Sequence, residues 1–152
     1  MTSKKELAVA ALRNGIVIDH IPSDALFKCV KILGLDTVNS QLTIGNNLHS
    51  SKLETKGIIK VADVDIPEQT LNRIALIAPT AVVNTIKNFE VTEKRHVVLP
   101  DNIVGIVKCD NPKCITNNEP MTTRFTVISR DPAVIRCHYC SHTVKASKAN
   151  IL

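Results

Sequence analysis

The sequence predicts an α+β chain in two modules. The first has the element order β-α-β-β-α-β, and the second is a small antiparallel β unit stapled by cysteines. Three observations predict this. Runs rich in β-branched residues alternate with runs of helical apolar spacing through residues 1–100. The segment TEKRHVVLPDN (92–102), polar at first and carrying Pro100, reads as a hinge. Four of the five cysteines, Cys109, Cys114, Cys137 and Cys140, fall in the last third of the chain, leaving Cys29 apart.

Taken in order, GIVIDHI (15–21) reads as a strand because β-branched side chains suit a pleated surface. Pro22, Ser23 and Asp24 then supply helix-start chemistry; Leu26, Phe27, Val30 and Leu33 recur at helical spacing, and Gly34 is a natural stop. NSQLTIGNN (39–47) and KGIIKVADV (56–64) are two strands joined by the polar loop LHSSKLET. Pro67 and Glu68 open a second helix whose Leu71, Ile74, Ala75 and Ala78 form one face before Pro79 ends it. TAVVNTIKNFEV (80–91) is a long fourth strand. This is the ferredoxin-like split β-α-β order: a four-stranded sheet with two helices on one face. The other face needs a cover, which the leading ELAVAAL stretch or a partner is expected to supply. Beyond Pro100, IVGIVKC, TTRFTVISR, AVIRC and SHTVKAS read as four strands of an antiparallel module.

Composition narrows the function. The 152 residues carry 19 Lys+Arg against 14 Asp+Glu, a formal charge of +5. With 44% apolar and 22% charged residues the chain is not of disordered type. No apolar run approaches the ~20 residues of a membrane helix, and the N-terminus has no signal-peptide core, so a soluble, cytoplasmic protein is expected. There is no Trp, one Tyr (Tyr139) and three Phe, which disfavours a nucleic-acid surface built on stacked rings.

The cysteines form C-x4-C and C-x2-C knuckles, and an odd total in an unsecreted chain suits metal ligation better than a disulfide framework. Four thiolates saturate a tetrahedral Zn²⁺, leaving no place for a reactive water, so the expected site is structural. The rival is a pair of disulfides, which a reducing compartment disfavours. A module of residues 101–152 is too small for a comfortable core without such a staple. Cys29, beside the apolar face of the first helix, reads as an inert buried thiol. His138 and His142 flank the second knuckle as outer neighbours or surface groups. No GxGxxG, Walker lysine loop, GxSxG or HExxH occurs, and no carboxylate pair stands out, so no catalytic site is expected.

What remains is a set of polar groups on the first module. Asp19 and His20 end the first strand, Lys60 lies in the third, and Lys94 follows the fourth. Two ammonium groups and a carboxylate at one end of a sheet can hold a nucleotide, with the lysines on phosphate or base oxygens and Asp19 accepting from ribose hydroxyls. Backbone groups of Val9–Leu12 and Phe89–Val91 would read the base edge. The alternative is that these are solvated lysines at strand ends.

GIVIDHIP, LTIGNNL, IIK, ALIAPTAVVNTIKNFEV, CDNPKC and CHYC follow one another as in the regulatory chain of aspartate carbamoyltransferase, which the chain resembles over essentially its whole length. The resemblance implies a non-catalytic subunit of pyrimidine biosynthesis. It implies an allosteric domain over residues 1–100 that binds CTP, UTP and ATP, and a zinc domain over residues 101–152 that docks on the catalytic chain. Two regulatory chains pair through their N-terminal domains, and three such dimers bridge two catalytic trimers into a dodecamer. Carried across residue by residue, the resemblance places Val9, Ala11, Leu12, Val17, Asp19, His20, Lys60, Asn84, Ile86, Phe89, Val91 and Lys94 around the nucleotide. It places zinc on Cys109, Cys114, Cys137 and Cys140, and Asn111 against the catalytic chain. Glu6 stands where the best-known pattern has a lysine, and a carboxylate there would repel phosphate, arguing against CTP/UTP synergy. The competing reading is a zinc-ribbon nucleic-acid-binding protein. It is supported by Lys108, Lys113, Arg124, Arg130, Arg136, Lys145 and Lys148 but opposed by the acidic residues interspersed among them.

Overall fold

In a computed structural model, which describes residues 12–51 and 54–152, the first expected strand is β1 (Gly15–Pro22). Helix α1 (Leu26–Ile32) follows, and the chain leaves it through Gly34 at φ 65°, a left-handed geometry that costs glycine nothing. Strands β2 (Leu42–His49) and β3 (Thr55–Ala62) come next. Helix α2 (Glu68–Ile77) begins at Pro67, whose fixed φ suits a helix entry, and buries Leu71, Ile74, Ala75, Leu76 and Ile77. Strand β4 (Val82–Lys87) completes the β-α-β-β-α-β order.

The strands lie in the order β2-β3-β1-β4, with β1 antiparallel to both β3 and β4, which is the split β-α-β arrangement expected. Ile16, Ile18, Ile59, Val61 and Val83 pair across β3, β1 and β4 and are all at most 2% exposed. They form the face beneath the helices. α1 lies so close to β3 that a Cβ on Gly57 would stand 2.7 Å from Leu26 Cδ1, which is why glycine occupies that position. From α2, Glu68 accepts a charged hydrogen bond from Arg95 of the same sheet at 3.2 Å.

The long fourth strand expected over 80–91 is instead two strands. The chain turns at Asn88 and Phe89, both with positive φ (51° and 66°), and returns as β5 (Glu90–His96), giving a five-stranded sheet. Two successive left-handed residues make the tight loop that matches strand twist. The turn is anchored from outside: Phe89 N–H donates to Arg13 O at 2.9 Å, and Asn88 N–H to Asn14 Oδ1 at 3.2 Å. Much of the polar segment expected to be a hinge is therefore β5. The expectation that ELAVAAL covers the far face of the sheet falls almost wholly outside the described residues.

The chain divides into two compact units, Met1–Val97 and Val98–Leu152. In the second, IVGIVKC is not one strand. Gly105 at φ 70° breaks it into β6 (Asn102–Val104), which pairs with residues 124–126, and β7 (Val107–Lys108), which pairs with the C-terminal β11 (Asn150–Ile151). β8 (Arg124–Arg130), β9 (Ala133–Cys137) and β10 (Thr143–Lys145) continue the sheet in the order β10-β9-β8-β6. Ile103, Phe125 and Ile135, each at most 2% exposed, form the small core on its inner face.

Candidate functional site

The four cysteines of the second unit come from two local devices. Cys109 directly follows β7. The chain then closes on itself with Cys114 N–H donating to Asn111 O (3.0 Å) and Lys113 N–H to Asn111 Oδ1 (3.0 Å). Cys137 ends β9 and Cys140 lies in the following turn, closed by Ser141 N–H to Cys137 O (3.0 Å) and Cys137 N–H to His142 O (2.8 Å). The four Sγ atoms all lie within 4.8 Å of one another. Cys109 and Cys140 are 3.6 Å apart and Cys114 and Cys137 3.7 Å, well beyond a disulfide bond. Four sulfurs at ~2.3 Å from a central ion stand ~3.8 Å apart along a tetrahedral edge, so the cluster fits one such ion.

Backbone and amide donors surround these sulfurs. Burial pushes the Cys109 thiol up to about 12, partly countered by the N–H of Asn111. Burial likewise raises Cys137, against the N–H groups of Cys140 and Tyr139. For Cys140 burial also pushes upward, but the His142 N–H, the Asn111 side chain and the neighbouring Cys109 and Cys137 hold it at about 6. Asn111, expected against a partner chain, is half-buried; its Oδ1 accepts from Lys113 N–H of its own knuckle and its side chain also bonds Cys140 of the other. His138 and His142 are exposed. Cys29 is fully buried in α1, and burial pushes its thiol up to about 12, as expected of an inert packing group.

In the first unit, strand register decides which candidate residues share a face. Lys60 pairs with Val17, Val17 with Asn84, and Asn84 with Lys94, one unbroken row across β3, β1, β4 and β5. Directly paired residues of an antiparallel sheet point to the same side. Since Ile59, Ile18 and Val83 face the helices, this row faces away from them. Ile86 and Val91 pair in a flanking row on the same face, and Asp19 pairs with Val82 on the other flank. Seven candidates, Val17, Asp19, Lys60, Asn84, Ile86, Val91 and Lys94, are therefore brought together. Strands stand ~4.8 Å apart, so the backbone positions of Lys60 and Lys94 are separated by ~14 Å.

The remaining candidates lie elsewhere. His20 occupies an irregularity in β1 with φ 57°; its N–H donates to Asp19 Oδ1 (2.6 Å), and its carbonyl accepts from the Thr80 hydroxyl (2.7 Å). Phe89 stands in the β4–β5 turn, 65% exposed. Leu12 is half-buried beside Gly15. Val9 and Ala11 lie outside the described residues. Sequence reasoning missed Lys56, whose Nζ is 2.8 Å from Asp19 Oδ1, each side chain about one-fifth exposed. The signal was available: positions 56, 58 and 60 of one strand share a face, so Lys56 accompanies Lys60. Together these rows carry three lysines and one carboxylate, a net positive surface suited to an anionic ligand with apolar parts.

Among the described residues no helix is long and apolar enough to cross a membrane. Residues 7–98 match the family model for the aspartate carbamoyltransferase regulatory chain, allosteric domain, and residues 101–150 match that for its metal binding domain. The regulatory chain of Parabacteroides distasonis is 54% identical over 149 residues, covering 98% of this chain and 96% of its own length. That of Porphyromonas gingivalis is 52% identical, covering 98% and 99%. The archaeal counterpart from Thermococcus onnurineus is 45% identical, covering 94% and 95%.

Proposed function

The chain belongs to the aspartate carbamoyltransferase regulatory chain family, and from that premise we propose a nucleotide sensor at one end and a metal-built docking module at the other. It is a non-catalytic regulatory subunit that acts with a catalytic chain. Residues 1–100 bind the nucleoside triphosphates CTP, UTP and ATP. Residues 101–152 fold around one Zn²⁺ held by Cys109, Cys114, Cys137 and Cys140, and dock on the catalytic chain, with Asn111 near that contact. Regulatory chains pair through their first units, and three pairs bridge two catalytic trimers. The free thiols suit the reducing cytoplasm in which this assembly works.

The observation that supports nucleotide binding best is the row Lys60–Val17–Asn84–Lys94 on the face turned away from α1 and α2. Lys60 and Lys94 are spaced to grip separate parts of a long, multiply charged ligand. Asp19, oriented by Lys56 and by the His20 N–H, accepts hydrogen bonds from ribose hydroxyls. Val17, Ile86 and Val91 pack the base, aided by Leu12, His20 and Phe89 at the rim; the resemblance adds Val9 and Ala11 to the residues that contact the nucleotide. CTP and ATP share ribose and triphosphate, so these contacts supply affinity common to both. Base size then displaces β1 and β4 differently, and that difference passes along residues 97–101 into the metal unit. A nucleotide regulates only if it binds the two quaternary states unequally, and typical coupling is ~1–3 kcal/mol. Zinc supplies folding energy and no reactive water, since four protein ligands fill its coordination.

Equilibrium CTP binding to the assembled enzyme tests the site. Lys60→Ala and Lys94→Ala should each weaken binding about tenfold or more, the scale of a lost charge-assisted hydrogen bond of ~1.5–3 kcal/mol. Wild-type affinity in both variants would sink the assignment.

A further inference from the structure

The two cysteine knuckles are held by different means. The C-x2-C turn closes with its own backbone, through Ser141 N–H on Cys137 O and Cys137 N–H on His142 O. The C-x4-C loop is longer and contains Pro112, which has no N–H to contribute. Beyond the backbone bonds Cys114 N–H to Asn111 O and Asn117 N–H to Cys114 O, its carbonyls are met by two consecutive side-chain amides from the short helical turn Ile115–Asn117 and its cap. Asn117 Nδ2 donates to Cys109 O (2.9 Å) and to Asn111 O (2.8 Å). Asn118 Nδ2 donates to Pro112 O (3.1 Å) and Cys114 O (2.9 Å). Four carbonyls of the 109–114 loop, including those of both ligands, thus accept from these two amides, and those of Cys109 and Pro112 are met from the side chains.

The consequence reaches the sulfurs. Pinning the carbonyls of Cys109 and Asn111 fixes the intervening peptide planes, and the Asn111 N–H then donates to Cys109 Sγ. The Thr116 hydroxyl, carried on the same turn, lies 3.1 Å from Cys114 Sγ. Outer groups that orient metal ligands commonly change metal affinity 10–100-fold when removed. We propose that Asn117, assisted by Asn118, is the positioning residue of the metal centre: it holds the Cys109–Cys114 loop in ligating geometry and sets how slowly the ion leaves. Asn117 is half-buried and ties the ligand Cys109 to Asn111, whose N–H faces the Cys109 sulfur, so its share is the larger; Asn118 is exposed. The inference rests on the four-cysteine metal reading above.

Its test uses the full chain loaded with Co²⁺, whose thiolate charge-transfer and ligand-field bands report a tetrahedral four-sulfur site. Affinity comes from titration and the off-rate from release into excess chelator. Asn117→Leu keeps the γ-branched shape of the side chain, with somewhat greater bulk, and removes both donors. It should keep the four-thiolate spectrum, bind Co²⁺ 10–100-fold more weakly and release it faster by a similar factor. Asn118→Ala should lose several-fold. Wild-type affinity and off-rate in Asn117→Leu would show that the residue only fills space and would overturn the proposal. Should Asn117→Leu take up no metal at all, Asn118→Ala decides: a wild-type off-rate there overturns it as well. Absence of a four-thiolate spectrum in the unmutated chain would instead defeat the metal reading itself.

Discussion

Single positions in this chain are set by close approach and by burial. Gly57 is occupied from above by Leu26, whose Cδ1 would stand 2.7 Å and Cβ 3.2 Å from any added Cβ. Gly57→Ala should therefore destabilise the first unit by ~1–3 kcal/mol through overpacking, read as a lowered melting temperature. Cys29 carries a pH signature. Its folded pKa, about 12, lies above the ordinary 9.0 because burial disfavours the thiolate. The folded state thus holds this proton more tightly than the unfolded chain. The resulting stability is complete below pH 9 and is lost as pH rises toward 12. Cys29→Ala should flatten that alkaline loss, as measured by denaturant midpoints at pH 8 and pH 10.5, and native Cys29 should resist iodoacetamide at pH 8. The metal-ligand pattern was readable from spacing alone, because thiolate chemistry needs only four sulfurs on two short turns. Lys56 was harder to see, because its role depends on register and not on any motif.

At the scale of elements, the sequence pattern located both helices and the first three strands, where apolar periodicity is clean. It failed at β5, whose seven residues, Glu90–His96, are nearly all exposed and show no apolar alternation. The turn before β5 lacks the usual glycine as well: Phe89 holds φ 66° where a side chain is disfavoured by ~1–2 kcal/mol. Phe89→Gly should raise the melting temperature slightly, the relief exceeding glycine's ~0.5–1 kcal/mol entropic cost. It also failed at IVGIVKC, where one continuous apolar run concealed the reversal at Gly105. The ribbon thus formed has its own consequence. β11 clamps the strand that delivers Cys109, with Leu152 N–H on Ile106 O (2.7 Å) and Asn150 Nδ2 on Asp110 Oδ1 (3.1 Å). Deleting residues 150–152 should accelerate metal release several-fold in a chelator assay while leaving the four-thiolate spectrum intact.

For the whole molecule, the division of labour follows from what each unit lacks. The first has a sheet face bearing lysines and no metal cluster among its described residues; the second has a core of a few apolar side chains and four clustered thiols, and on the proposed reading a bound ion supplies much of its folding energy. On the proposed assembly, mercurial displacement of the metal should therefore unfold the second unit and release the catalytic chains, visible as smaller species on size analysis. The candidate nucleotide face was legible only as scattered lysines and one aspartate until register joined them in one row. The most direct measurement is the aspartate saturation curve of the catalytic trimer, with and without this chain, at saturating CTP and at saturating ATP. The account predicts that nucleotides shift the curve only when the chain is present, and that Lys60→Ala with Lys94→Ala abolishes the shift. A trimer that responds equally without the chain, or a double variant that responds like the wild type, would contradict it.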